Sequence, residues 1–324
     1  MPAALEFRNV TKQYAGAGAP AVEDLSLSVA PGETCMLVGP SGSGKTTAMR
    51  MVNRMVGITS GDILIDGRSV TESDEAQLRR HIGYVIQHVG LFPHRTALQN
   101  IATVPQLLGW PKERIRQRAN ELAELVGLDI AQADRYPAQL SGGQRQRVGV
   151  ARALAADPPL MLMDEPFGAL DPITRDRLQG EFERIKERVA TTIVFVTHDI
   201  DEAIRLGDRV AILREGGVLA QYATPGELLL HPADAFVEEF VGADRALKRL
   251  ALLRVDDCGL EPGPAATGPH PLTPQTSLRD ALAALLQEPD GRLAVVDGER
   301  VLGVLTVEAV HVKLRREAAE PTPR

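Results

Sequence analysis

The sequence predicts an α/β protein built around a phosphate-binding loop, followed by a small α+β unit. Three observations carry this. The apolar runs Cys35–Val38, Leu160–Met163 and the middle of Thr192–Thr197 have the length and composition of strands buried on both faces. Helical stretches of amphipathic character separate the first of these strands from the others. Between Val38 and a helix over Ala48–Val52 lies Gly39-Pro40-Ser41-Gly42-Ser43-Gly44-Lys45-Thr46-Thr47, in which glycines let the backbone wrap an anion while N–H groups at the helix start point at it. In such a loop Lys45 reaches the β- and γ-phosphates as a point charge, and the Thr46 hydroxyl ligates Mg²⁺.

Before that loop, Leu5–Val10 alternates as a strand, Tyr14 precedes the flexible segment 15–20, and Val22–Val29 alternates again before the Pro31-Gly32 turn. Tyr14 suits stacking on an adenine ring, or is an ordinary tyrosine at a strand end. Beyond the loop, Asp62–Ile65 is a strand, Asp66-Gly67 a hairpin signal, and Arg80–Ile86 a further β-like run that ends at Gln87. Gln87 can orient a water or touch a metal; alone, a glutamine at such a place is more often a solvated surface residue.

From Leu98 to about Pro159 the pattern is helical, with Ile115, Ala119, Leu122, Ala123 and Val126 on one stripe. Ser141 occupies the N-cap of a helix over Arg145–Ala156. Gly142 and Gly143 expose N–H groups at its positive end, next to Gln144, making a second candidate anion site or a common helix cap. The strand Leu160–Met163 ends in Asp164-Glu165, two adjacent carboxylates that are costly there unless metal or hydrogen bonds compensate. Asp164 suits the Mg²⁺ side, and Glu165 the general base for a water. Asp171-Pro172 turns into a helix over Thr174–Val189, and the strand Thr192–Thr197 ends at His198, on the rim where open α/β sheets bind ligands.

Asp199 caps a helix through Leu206, Val210–Leu213 and Val218–Gln221 flank a Glu-Gly-Gly turn, and Thr224-Pro225-Gly226-Glu227 is a helix start with cap, N1 proline and capping-box glutamate. A basic, leucine-rich bridge covers Arg245–Arg254 and a Pro/Gly-rich excursion Gly259–Pro274. A helix from Ser277 to about Leu286, strands Leu293–Val296 and Val301–Leu305, and a helix Val307–Leu314 complete the chain, with disorder expected for the tail, 317–324.

The 324 residues carry a net charge of -7, with 44% hydrophobic and 24% charged residues, the balance of a core-forming protein without a general electrostatic case for nucleic acid or anionic lipid. Two cysteines far apart make no disulfide framework, which favours a reducing compartment. Met1–Val10 lacks the pattern of a secretory signal, and no window reaches the ~18 apolar residues of a membrane span.

Taken together, residues 39–47, Gln87, Leu140–Gln144, Leu160–Pro166, Ala169-Leu170-Asp171 and His198 resemble, in order and spacing, the ATPase subunit of an ABC transporter over roughly residues 3–243. Tyr84–His94, Met163–Arg175, Thr197–Ala203 and Asp244–Leu250 look like the glycine betaine, carnitine and choline importers of bacteria. The resemblance implies the P-loop NTPase fold of ABC ATPases: a RecA-like mixed sheet core, an antiparallel β subdomain and a helical signature subdomain at about 88–159. It also implies a linker and a single CBS-like repeat over 244–316, with Ala294–Asp297 and Gly303–Thr306 as strand cores, where a CBS module normally pairs two.

By the same resemblance, Tyr14 is the adenine-stacking aromatic, Gln87 the Q-loop, Asp164 and Glu165 the Mg²⁺ aspartate and catalytic base, and His198 the switch histidine at the γ-phosphate. Two copies are then expected head to tail, with ATP and Mg²⁺ between residues 39–47 of one and Ser141–Gln144 of the other, alongside Asp171. Membrane permease subunits and, indirectly, a substrate-binding protein are implied partners, with the chain peripheral at the cytoplasmic face of the bacterial plasma membrane. An importer of other small solutes is the nearest alternative. A soluble ABC protein acting on DNA or ribosomes is another, but the second cassette, coiled-coil insertion or basic surface usual there is missing from this sequence.

Overall fold

The structure is a computed structural model that describes residues 3–87, 90–168, 170–263, 271–298 and 300–319. It divides into two compact units, Met1–Asp199 with Leu206–Tyr222, and Ile200–Arg205 with Ala223–Arg324.

In the first unit, β1 (Leu5–Lys12), β2 (Val22–Val29), β4 (Ser60–Ile65) and β5 (Arg68–Ser69) form an antiparallel sheet in the order β2-β1-β4-β5. A second sheet takes β3 (Thr34–Val38), β6 (Ile82–Val85), β7 (Leu160–Asp164), β8 (Thr192–Val196), β9 (Arg209–Leu213) and β10 (Leu219–Ala223) in the order β10-β9-β3-β8-β7-β6. Every residue of β3, β7 and β8 is buried, as their unbroken apolar sequences require. Strands β9, β3, β8, β7 and β6 are mutually parallel, with Leu37 opposite Val196 and Asp164 also opposite Val196. The register brings the C-terminal ends of β3, β7 and β8 to one sheet edge. Leu5, Phe7, Leu25, Met49 and Ile63 join the two sheets in one core. Cys35 lies within it, its thiol pushed up to about 12 by burial.

Helix α1 (Lys45–Val52) follows β3, and α2 (Glu75–His81) precedes β6. The β-like run expected from Arg80 is therefore helical through His81, and the strand begins at Ile82. Asp74 accepts from the Gln77 N–H as cap, and Arg79, Arg80 and His81 fill the last turn, a charge arrangement that suits the helix dipole. Between β6 and β7 come α3 (Ala97–Ile101), α4 (Thr103–Leu107), α5 (Lys112–Leu125), α6 (Ile130–Ala133) and α7 (Gly142–Leu154). Helix α8 (Pro172–Arg188) joins β7 to β8, with Pro172 at its first turn. Phe167, Phe182 and Phe195 meet at centroid separations of 5.9–6.1 Å and fasten α8 to the sheet.

The second unit holds most of α9 (Ile200–Leu206), then α10 (Pro225–Leu230), α11 (Ala235–Val241) and α12 (Arg245–Leu252). It closes with α13 (Leu278–Leu285), the antiparallel pair β11 (Arg292–Asp297) and β12 (Arg300–Thr306), and α14 (Val307–Ala319). Bridges Glu261–Val304 and Leu272–Val295 extend this pair on both sides. Leu250, Val255, Leu272, Leu278, Leu293 and Leu305 form its core. Helix α10 packs on α12, and by compactness the chain divides at Tyr222. Helix α14 ends at Ala319, and the segment before Pro321 is made of good helix formers. Residues 320–324 lie outside the described residues, as do His88, Val89, Ala169 and much of the Pro/Gly-rich excursion.

Candidate functional site

The phosphate loop is shaped by close backbone approaches. Gly39 has φ 151°, and a Cβ there would lie 2.2 Å from the Leu213 carbonyl oxygen; Gly44 has φ 77°, and its Cβ would lie 2.2 Å from that of Ala21. Gly44 is also the N-cap of α1 and makes no side-chain cap bond, so the first N–H groups of the helix face the loop. Lys45, only 7% exposed, donates from Nζ to the carbonyls of Gly39 and Pro40 at 2.8 Å and to Ser43 Oγ at 3.2 Å. Burial lowers its pKa, against the charges of Glu165 and Asp164. Ser41 and Gly42 are exposed at the loop tip, and Thr47 is half-buried.

Thr46 Oγ1 donates to Asp164 Oδ1 at 3.0 Å, joining α1 to the end of β7. Asp164 is 6% exposed, and its carboxyl is pushed up by desolvation, which the Thr46 bond and the Arg50 charge partly offset. Arg50 Nη2 stands 3.9 Å from Asp164 Oδ2. Sequence reasoning missed Arg50, although it lies one helical turn beyond Thr46 on α1.

Glu165 adopts a left-handed backbone, φ 43°, while its N–H still donates to Val196 at 2.9 Å. The turn away from the strand swings its carboxylate between two side chains from different segments. Gln87 Nε2 donates to Oε2 at 3.1 Å, and His198 Nδ1 lies 3.2 Å from Oε1. Lys45, Thr46, Asp164, Glu165, Gln87 and His198 are thus linked, directly or through a neighbour, along the edge where β3, β7 and β8 end. This is where parallel α/β sheets place ligands.

The remaining predicted residues lie apart from that chain of contacts. Ser141 Oγ accepts from the Gln144 N–H at 3.2 Å while Gln144 Oε1 accepts from the Ser141 N–H at 2.8 Å, closing a capping box on α7. A Cβ on Gly143 would meet Leu178 and Thr174 at 3.4 Å, and one on Gly142 would meet Leu170 at 3.7 Å, so this turn packs on the start of α8. No hydrogen bond joins residues 141–144 to residues 39–47 among the described residues. Asp171 caps α8 through Oδ1, accepting from the Thr174 N–H at 3.0 Å, and bonding to Thr174 holds its carboxyl below the usual carboxylate range. Tyr14 is 44% exposed, with Lys12 Nζ 5.0 Å from its ring centre. Helices α3 to α6 also line an open groove of about 1480 Å³, apolar along Leu98, Ile115 and Ala119 and charged at Lys112, Arg116 and Asp134.

A glycine-built anion loop, a buried ammonium and a strand-end carboxylate pair define a P-loop nucleoside triphosphatase site. The chain belongs to the ABC transporter family, whose profile matches residues 22–168, and is an ATPase subunit of that family. It is 50% identical over 309 residues to the choline transport ATP-binding protein OpuBA of Bacillus subtilis (strain 168), covering 94% of this chain and 79% of that one. It is 46% identical over 299 residues to the osmoprotectant import ATP-binding protein OsmV of Salmonella typhimurium, covering 91% and 77%. Among solved structures it is similar to the ATP-binding cassette MJ0796, a dimer in a post-hydrolysis state bound to ADP and Pi, with 34% identity, TM-score 0.60, and coverage of 68% and 98%. No helix among the described residues is long and apolar enough to cross a membrane.

Proposed function

We propose that the chain hydrolyses ATP to drive import of a quaternary amine osmoprotectant, of the glycine betaine, choline and carnitine class, through partner membrane subunits. The observation that carries the hydrolytic part is Glu165, a carboxylate at the end of a buried strand held between Gln87 and His198 and adjacent to Asp164. The solute class is supported by relatives named for choline, carnitine and osmoprotectant transport.

Lys45 and the N–H groups of α1 would bind the β- and γ-phosphates, with Tyr14 stacking on the adenine. Asp164 and Thr46 offer hard oxygen donors of the kind Mg²⁺ prefers, and their 3.0 Å separation keeps both at one point; Gln87 is a third oxygen donor within the same edge. Bound Mg²⁺ supplies charge neutralisation on the β- and γ-phosphate oxygens. Glu165 accepts a proton from the attacking water, Gln87 fixes the carboxylate, and His198 meets the γ-phosphate side of the same carboxylate.

Because Ser141–Gln144 makes no hydrogen bond to the loop of its own chain, a second copy facing it head to tail would complete each site, with Asp171 at the same junction. That a similar cassette, MJ0796, is dimeric supports this reading, as do relatives named as ATP-binding proteins of transport systems. The groove of α3 to α6 is the surface proposed for the permease, and a substrate-binding protein would act through that permease at a membrane's cytoplasmic face. Residues 1–243 serve as the nucleotide-binding domain, and 244–316 as linker and CBS-like repeat, in this reading.

The test is ATPase activity and solute uptake of the complex in liposomes, titrated with glycine betaine, choline and salt, with and without residues 245–324. Amine-stimulated hydrolysis coupled to uptake is expected. Hydrolysis indifferent to every quaternary amine would overturn the solute class. Salt stimulation that disappears on truncation would assign the C-terminal repeat an osmotic role; stimulation that survives truncation would remove that role.

A further inference from the structure

The last turn of α7 touches the chain on both sides of Gln87. Before Gln87 it meets β6. Gly83 is buried there, and a Cβ at this position would lie 2.7 Å from the Ala153 carbonyl oxygen and 3.1 Å from Pro158 Cγ, so a side chain would push the helix off the strand. After Gln87 it meets Gly90, whose carbonyl accepts from Arg152 Nη1 at 2.7 Å. Arg152 and Ala153 are neighbours in α7, while Gly83 stands four residues before Gln87 and Gly90 three after it.

Arg152 is half-buried, and desolvation lowers its pKa. A guanidinium keeps its charge in such surroundings and needs acceptors, and a charge-assisted bond of this length is roughly twice as strong as a neutral one. The end of α7 is bonded in turn to α5. Arg118 Nη2 donates to the Leu154 carbonyl at 3.3 Å, and the same guanidinium pairs with Asp157 just past the helix. Ile115 and Ala119 of α5 line the groove of α3 to α6.

We infer that Arg152 is a positioning residue for Gln87: it fastens the segment beyond Gln87 to the helix that begins at Ser141-Gly142, and so sets where the Gln87 amide meets Glu165. This rests on the assignment of Gln87 and Glu165 to the hydrolytic site. Gln87 needs such a hold. It is exposed in a turn past the end of β6, and it reaches Glu165 Oε2 at 3.1 Å from there. Strand β6 is the edge of its sheet, paired with β7 on one side, so the sheet steadies this turn from that side alone. Arg152 supplies the second point of attachment. A basic residue in the last turn of a helix also suits the dipole, which would stabilise α7 without reference to Gln87. The two roles separate in a double-mutant cycle.

The cycle takes the full-length protein with Arg152→Met, with Gln87→Ala and with both, each measured for kcat and for fluorescent-nucleotide affinity. Arg152→Met keeps the apolar stem and removes the donor. It is expected to lower kcat by up to about 10²-fold, the cost of displacing a reacting group by an ångström, with affinity unchanged. Gln87→Ala is expected to lower kcat as well. In that background Arg152→Met should add no more than roughly a twofold further loss, because no amide is left to misplace. Equal fold losses with and without Gln87 would overturn the inference and leave Arg152 a stabiliser of α7, as would wild-type kcat in Arg152→Met. Turnover of Gln87→Ala at the wild-type rate would remove Gln87 from the site, and this inference with it. Arg152→Gln, polar but too short to reach Gly90, gives the same readings where Arg152→Met yields no folded protein.

Discussion

Asp164 and Lys45 each carry a charge that their surroundings disfavour. Burial raises the pKa of the carboxyl, so the folded chain binds its proton more tightly than the unfolded chain does. Stability from this group falls as pH rises from the ordinary carboxylate range through the raised value, and stays reduced at neutral pH. Lys45 has the opposite shift and the same outcome: its lowered pKa makes the ammonium a cost at neutral pH, relieved only as pH climbs through the lowered value toward the ordinary one. Asp164→Asn keeps a group able to accept from Thr46 while removing the buried charge. It is expected to raise the nucleotide-free melting temperature by about 2–4 °C, the equivalent of roughly 1 kcal/mol. It should also abolish the further rise that Mg²⁺ with ATP induces in the wild type, both read by thermal scans with and without ligand.

At Glu165, exchange for Gln removes the proton acceptor and leaves the shape. ATPase activity should fall by about 10²–10⁴-fold with fluorescent-nucleotide affinity unchanged, and turnover at the wild-type rate would remove Glu165 from the role of base. Gly44→Ala tests the loop backbone. The added methyl meets the Ala21 carbonyl at 2.2 Å at a positive φ, so strain of about 1–3 kcal/mol is expected as a lower melting temperature, together with weakened ATP binding.

Elements whose signals are local were legible in the sequence. Thr224 caps α10 and Glu227 returns the bond, the capping box that Thr-Pro-Gly-Glu announces, and Ser141 caps α7 where its glycines begin. Thr224→Ala should cost about 1 kcal/mol in chemical denaturation. Catalytic activity should be retained, because among the described residues the side chain of Thr224 bonds only to Glu227 of its own helix. Strands β3, β7 and β8 were readable because burial on both faces leaves no polar residue to interrupt them. Helix α2 was not, since Asp74 caps its start and Arg79-Arg80-His81 suit the dipole at its end while no residue of it is buried, so apolar periodicity gives no signal, and it runs straight into β6. In the site, the loop and the Asp164-Glu165 pair are linear motifs and could be read in advance. The Arg50–Asp164 approach arises only when α1 and β7 fold together, and no spacing along the chain encodes it.

At the level of the whole molecule, the compact division at Tyr222 has a consequence for truncation. Helix α10 packs on α12, and Leu228 and Leu229 of α10 are buried. A chain ending at residue 244 keeps α10 and α11 but loses α12. Amide hydrogen exchange over residues 225–241 should therefore accelerate in the truncated protein, while the amides of β3 and β7 keep their protection. Unchanged protection over 225–241 would show that α12 contributes nothing to these helices.

Both thiols of the chain are buried: Cys35 inside β3, where its ionisation is pushed up to about 12, and Cys258 in the core of the second unit. The folded protein therefore behaves toward alkylating and spin-labelling reagents as though it contained no cysteine, since the thiolate is the reactive species. A single cysteine introduced at Ser41 or Gln144 would be the sole site of labelling on an otherwise native background, which makes distances between two copies measurable without first stripping the protein of its own sulfur.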